Sequence, residues 1–230
     1  MTLHARYRFF TILSATVLVL CIGAAFLLTH LPWLGIQFAP ANDGKGLRVV
    51  AVAPGSPNAT LLPGDVVIAL HDGKHHEPLS AETLIKGAAW FKRYADYNRF
   101  KSHHQQLWQS LNSGKATFEL LDGRRVELTT APQRPLSDLP WTVWFLLTIG
   151  FSTFLIGCII YSYRPKEITS RIVFTAANFF LLAVLCAVVA QGRELTLPPA
   201  WMAFAIEFNI LGIVILAYSL ISLLWHYGAP

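Results

Sequence analysis

Five of the eight histidines in this 230-residue chain, His71, His75, His76, His103 and His104, fall within one polar stretch. Imidazole titrates near neutral pH and ligates zinc, so two of them could hold a metal ion or tune a response to acid. Their spacing fixes no ligand set, and solvated histidines in loops and at helix ends are the plainer expectation. His76-Glu77 opens like the metalloprotease pattern His-Glu-x-x-His, but Pro78 follows and Ser80 stands where the second histidine belongs. There is no Gly-x-Ser-x-Gly for a serine hydrolase, no nucleotide-binding glycine loop and no kinase motif. The chain reads as a non-enzyme that needs no cofactor or metal. One further group draws attention: Glu207, the lone acidic residue of a long apolar segment, with Asn209 two residues on. A carboxyl in hydrocarbon is expensive, which makes Glu207 a candidate for a relay or an interhelical hydrogen bond, with Asn209 the other intramembrane polar residue. The alternative is a protonated Glu207 packed into a helix bundle. Arg193 is expected to reach down toward it.

The elements around these groups follow from hydropathy. Hydrophobic residues make up 54% of the chain and charged ones 13%, too apolar for an ordinary soluble protein. The excess lies in segments 9–28, 141–163, 172–190 and 200–225, each long enough to cross a bilayer. Basic residues precede the first segment, as in a signal peptide, but its length and the lack of a small-x-small site after it favour an uncleaved anchor. Trp141, Trp144, Tyr161 and Tyr163 sit where interfacial aromatics belong. Arg6 and Arg8 share a side with Arg164, Lys166 and Arg171 if four spans are counted. The positive-inside rule then puts both termini in the cytoplasm and the long polar stretch outside. The net charge of +5 is scattered, without the basic stripe of a nucleic-acid binder. Cys21, Cys158 and Cys186 all lie in apolar segments, so the polar stretch has no disulfide.

Within that stretch, residues 49–53 and 66–70 are apolar runs read as strands. About one helical turn is expected at 58–62, between two Pro/Gly turns. Residues 80–113 carry aromatics at helical spacing and read as two helices with a break before Phe100. A hairpin follows around Asp122-Gly123. A three-residue loop with Gly123 left-handed opposes Phe118 to Val126 and Ala116 to Leu128, which keeps one face apolar. Pro132, Pro135 and Pro140 make a stiff exit linker.

Gly55-Ser56-Pro57, Pro63-Gly64-Asp65, Val66-Val67-Ile68 and Asp72-Gly73 together resemble the central strip of a bacterial PDZ domain. Leu34-Gly35-Ile36 sits where that family keeps its carboxylate-binding loop. The resemblance implies a peptide or protein C-terminus as partner, held by amides near Leu34, Gly35 and Ile36. Ile36, Gln37 and Phe38 would be the receiving strand, and Gln105, Trp108 and Gln109 would lie on the helix that walls the groove. An extended peptide adding to a sheet edge, its carboxylate in a tight glycine loop, gives this a physical basis. The insertion at 80–98 is expected to cover that groove, with a purely structural PDZ-like fold as the alternative.

The wider order of parts is similar to the input region of certain bacterial sensor histidine kinases, with peptide-receptor kinases close in layout. It runs span, PDZ-like domain, Arg-Pro-Leu-x-x-Leu-Pro (Arg134 to Pro140), then spans with Arg-Glu-Leu-x-Leu-Pro (Arg193 to Pro198). The kinase core is absent, so the resemblance carries sensing and not phosphotransfer. An adaptor for an envelope protease or secretion machine is the rival expectation. The expected fold is α+β joined to an all-α membrane part: an anchor at 1–31, a PDZ-like extracytoplasmic domain at 32–132, a linker at 133–140 and three spans at 141–230. Expected surroundings are the bilayer of the bacterial inner membrane, with a homodimer as an option and no nucleic acid.

Overall fold

The apolar segments become helices, as their length requires. In the computed structural model, which describes residues 3–42, 44–73, 75–86, 93–113 and 116–228, they are α1 (Leu3–Thr29), α3 (Trp141–Tyr163), α4 (Ile168–Gly192) and α5 (Pro199–Gly228). Each holds an apolar stretch of at least 22 residues, about 33 Å or more of helix and enough to cross a membrane. The polar stretch supplies one further helix, α2 (Tyr94–Asn112), and strands β1 (Ile36–Pro40), β2 (Leu47–Val52), β3 (Val66–His71), β4 (His76–Pro78), β5 (Thr117–Leu120) and β6 (Arg125–Glu127).

The chain divides into two compact units. A helix unit comprises Met1–Leu27, Pro140–Gln191 and Phe204–Pro230; a sheet unit comprises Leu28–Leu139 together with Gly192–Ala203. That last segment, read from sequence as part of a turn and the start of a span, therefore belongs with the sheet. Leu195 and Leu197 explain why, since both are fully buried and Leu195 joins the same apolar core as Leu34, Ile36, Leu107 and Phe118.

The sheet is antiparallel, ordered β1-β2-β3-β5-β6. β3 has β5 along one side, so β2 and β4 share the other in succession. Register sets the core: Leu70 faces Phe118 across β3–β5, and Phe118 faces Val126 across β5–β6. The β5–β6 hairpin has the expected three-residue loop. Leu128 donates its amide to Ala116 O, and Gly123 is left-handed with φ of 84°.

Three sequence expectations are corrected. Residues 58–62 form turns and no helix; Asn58 is buried and its side chain bonds elsewhere, which takes it out of any helical ladder. Of the two helices expected in 80–113, the first is a single 3-10 turn at Ala81–Leu84, and its continuation over 87–92 lies outside the described residues. α2 then runs unbroken through Phe100. The proline linker carries local structure. Leu136–Asp138 is a 3-10 turn, Arg134 donates its amide to Thr29 O, and Trp33 and Ala131 exchange backbone hydrogen bonds.

In the helix unit, small residues let backbones approach. A Cβ on Gly157 would lie 2.5 Å from Ala177 Cβ, and one on Gly212 2.9 Å from both Ala183 Cβ and Phe179 O. Asn209 ties α5 to α4 by donating its side-chain amide to Ala183 O at 2.8 Å. Glu207 behaves otherwise. It is exposed on the surface of the unit and is not packed inside a bundle.

Candidate carboxylate-binding site

The loop before β1 is built around Gly35. Its φ of 70° is a backbone conformation that side chains disfavour, and a Cβ there would lie 2.6 Å from Ser56 Cβ. Two buried polar residues fix the loop from beneath. Ser56 Oγ and Asn58 Nδ2 both donate to Leu34 O, at 2.8 and 2.9 Å. Asn58 also donates to Thr129 O and accepts from Thr129 N, at 2.8 and 2.9 Å, so its amide is fully engaged although it is 1% exposed.

With its carbonyl so anchored, Leu34 presents its amide on the other side, next to that of Gly35. Both amides donate to one carboxylate: Leu34 N to Glu194 Oε2 at 2.6 Å and Gly35 N to Glu194 Oε1 at 3.1 Å. Successive N–H groups converging on one anion form a concave site of the kind that captures carboxylates and phosphates. The next residue, Leu195, puts its side chain into the apolar core. Glu194-Leu195 thus offers the loop a carboxylate and, beside it, a buried aliphatic side chain. A small cavity adjoins the loop, lined among others by Leu31, Leu34, Trp108, Leu111, Arg134 and Glu194.

Arg134 is the cation that acts on this carboxylate, and Arg193 and Lys86 lie elsewhere in the same unit. Arg134 donates to Gly192 O, to Asp138 O at 2.7 Å and to Asp138 Oδ2 at 3.1 Å. Asp138 Oδ2 also accepts from Trp33 Nε1 at 2.7 Å. Arg193 is buried, donating to Ile85 O and to Met202 Sδ, with its guanidinium 5.7 Å from the centre of the Phe100 ring. Among the described residues it makes no ion pair, and burial lowers it to about 10. The expectation that Arg193 turns toward Glu207 gives way to these contacts within the sheet unit. Lys86 is lowered to about 8, first by burial and then by Arg193 and Arg134. His104 is buried, and its Nδ1 lies 3.1 Å from Thr196 Oγ1. Thr196 Oγ1 also lies 3.1 Å from His104 O, within donating distance. Burial holds His104 at about 2, neutral at any physiological pH.

Burial raises Glu194 to about 7, against the opposing pull of the Leu34 and Gly35 amides and Arg134. The ordinary value is 4.5, so the folded state binds this proton more tightly than the unfolded state. The resulting stability is fully present below about pH 4.5 and lost as pH rises through about 7, up to about 3 kcal/mol in all. Thermal unfolding in detergent should therefore show the wild type losing stability over that window. Glu194→Gln should lose less, the difference between the two isolating this carboxyl from the histidines.

The residues expected at the site divide. Leu34 and Gly35 meet the carboxylate; Ile36 is buried at the start of β1, where Gln37 is exposed and Phe38 packs edge-on against Phe118. Trp108 lines the cavity at the loop, whereas Gln105 and Gln109 lie on the exposed face of α2. Asn209 and Glu207 belong to the other unit. Ser56, Asn58, Arg134 and Glu194 were not expected as partners of the loop, and single-sequence spacing carries no signal for contacts as far apart as the 160 residues between Leu34 and Glu194. No family model, no curated protein and no solved structure matches this chain.

Proposed function

We propose that residues 32–132 are a PDZ-like module outside a bacterial inner membrane, recognising the C-terminus of a peptide or protein and relaying its occupancy to the helix unit. The observation that carries this reading is the Glu194 carboxylate held on the amides of Leu34 and Gly35, with Leu195 buried beside it. A free chain end offers the same pair, a carboxylate and an adjacent side chain. Glu194-Leu195 then acts as a built-in ligand, and an outside C-terminus competes for its place.

An incoming chain-terminal carboxylate meets the same two amides and the same Arg134, and incurs the same desolvation that raises Glu194 to about 7, so the two compete for the loop on like terms. Displacement reaches the helices along the chain, since Glu194 lies two residues beyond the end of α4 and five before the start of α5. A ligand that prefers the displaced state shifts the population toward it by its differential affinity. This makes a sensory input module the best-supported reading.

A photoreactive phenylalanine analogue in place of Trp108, irradiated in living cells, tests it. The expected product joins this position to the C-terminal residues of an extracytoplasmic protein or peptide. Products with cytoplasmic proteins would overturn the outward placement, and products through internal segments would overturn recognition of a chain end.

A further inference from the structure

A second constellation lies on the opposite face of the sheet from the Leu70–Phe118 core. His71 and His76 are directly paired across β3 and β4, the last pair before the connecting turn. Their rings stand 4.4 Å apart, centre to centre. On the other side of β3, Glu119 pairs with Ala69, which puts its side chain on the same face as that of His71 two residues on. His71 Nε2 and Glu119 Oε2 are 2.5 Å apart. One donor atom from each of His71, His76 and Glu119 falls within 4.8 Å of the other two.

We infer that His71, His76 and Glu119 form a binding site for a divalent transition-metal ion, zinc first. Two imidazole nitrogens and one carboxylate oxygen are a donor set that zinc takes with a fourth, open position. Copper and nickel follow by the same nitrogen preference, whereas calcium and magnesium demand oxygen ligands. Metal–ligand bonds of about 2.0–2.1 Å in a tetrahedron place ligand atoms about 3.3 Å apart. The His71–Glu119 contact is shorter than that value, and all three donors lie within 4.8 Å of one another. Opening that contact and turning the exposed His76 ring are the side-chain adjustments that tetrahedral ligation asks for. His71 and Glu119 are half-buried, so the cross-strand ladder holds two ligands and His76 closes the third position from the solvent side.

The neighbours on this face set the competition. Arg125 is paired with Glu119 across β5–β6, so its charge lies on the same face and opposes a cation there. Its side chain is exposed and can swing away into water. His75 is paired with Asp72 in the turn, and His103 with Glu77, whose register opposite Leu70 places it on the core face. Neither belongs to the cluster.

The test uses the full chain in detergent micelles, free of any histidine tag, with Co2+ as spectroscopic probe and Zn2+ as competitor. One equivalent of Co2+ should give the visible absorption of a tetrahedral site, and Zn2+ should abolish it and raise the thermal midpoint. His76→Ala, at an exposed position, and Glu119→Gln, of equal size, should each weaken Zn2+ binding about 100-fold or more, beyond what loss of a supporting partner costs. His103→Ala should leave it unchanged. Absence of a bound equivalent in the wild type, or equal binding by His76→Ala and Glu119→Gln, would overturn the assignment.

Discussion

Glu194→Gln should increase the affinity of the full chain for peptides with a free C-terminal carboxylate by about tenfold or more. The substitution preserves shape and replaces one acceptor oxygen by an NH2 donor. Leu34 N and Gly35 N each use one oxygen of Glu194, so the glutamine carbonyl keeps one of these bonds and its NH2 group faces the other N–H. A buried donor left unsatisfied costs about 1–3 kcal/mol. The built-in ligand is therefore weakened by 1–2 kcal/mol or more, and every 1.4 kcal/mol removed from the competitor is about tenfold in apparent affinity. The same peptides with amidated C-termini should show no gain, because they bring no anion to the loop. Fluorescence anisotropy with a labelled pool of random-sequence peptides, free-acid and amidated, reads the difference directly.

The second large effect is expected at Gly35. Gly35→Trp should abolish capture of free-acid peptides and destabilise the sheet unit by about 3 kcal/mol or more. Two independent costs add here. The φ of 70° is a left-handed conformation that a residue with a Cβ adopts at about 1–2 kcal/mol. The Cβ would also lie 2.6 Å from Ser56 Cβ, 2.7 Å from Ser56 Oγ and 3.1 Å from Ser56 Cα. Ser56 cannot retreat without releasing Leu34 O and the Asn58 amide that it caps at 3.0 Å. Gly35→Ala meets both costs with the smallest possible side chain, so it separates loop geometry from bulk. Denaturant unfolding of both variants, beside peptide binding, should show capture lost in the alanine variant while most of the fold persists.

How far sequence carried this account depends on the range of the contacts involved. Residues 141–163 were legible as a helix because apolar length decides the matter locally, and α3 has those bounds. The β5–β6 hairpin was legible because Asp122-Gly123 dictates its loop and the alternation of Phe118, Val126 and Leu128 admits one register. β4 was not. Three residues ending in proline carry too little pattern, and their pairing depends on β3 leaving half of one side open beyond β2. The break expected before Phe100 failed because Asn98-Arg99 interrupts the aromatic spacing and not the backbone ladder of α2.

The site itself divides the same way. Gly35 announced a tight turn, and Leu34 with it a place for an anion. The anion that fills it comes from the other end of the chain, where Arg193-Glu194 looked like a polar turn between spans. The alternation of Leu195 and Leu197 with polar neighbours was the one local hint that this turn packs against a sheet core. Asn58 gave none, for a buried asparagine and an exposed one look alike until their partners are known. His71 and His76 were visible as metal-capable residues. That they form one cross-strand pair beside Glu119 follows only from the register.

Amide hydrogen exchange at Leu34 and Gly35 tests the competition between Glu194 and an outside carboxylate most directly. In the wild-type chain both amides should be protected. In Glu194→Ala they should exchange at least about tenfold faster while Val49, Leu70 and Phe118 keep their protection. Saturating free-acid peptide should then restore protection at Leu34 and Gly35, and the amidated peptide should not. Amides that stay protected in Glu194→Ala without peptide, or that free-acid peptide fails to protect again, would contradict the account.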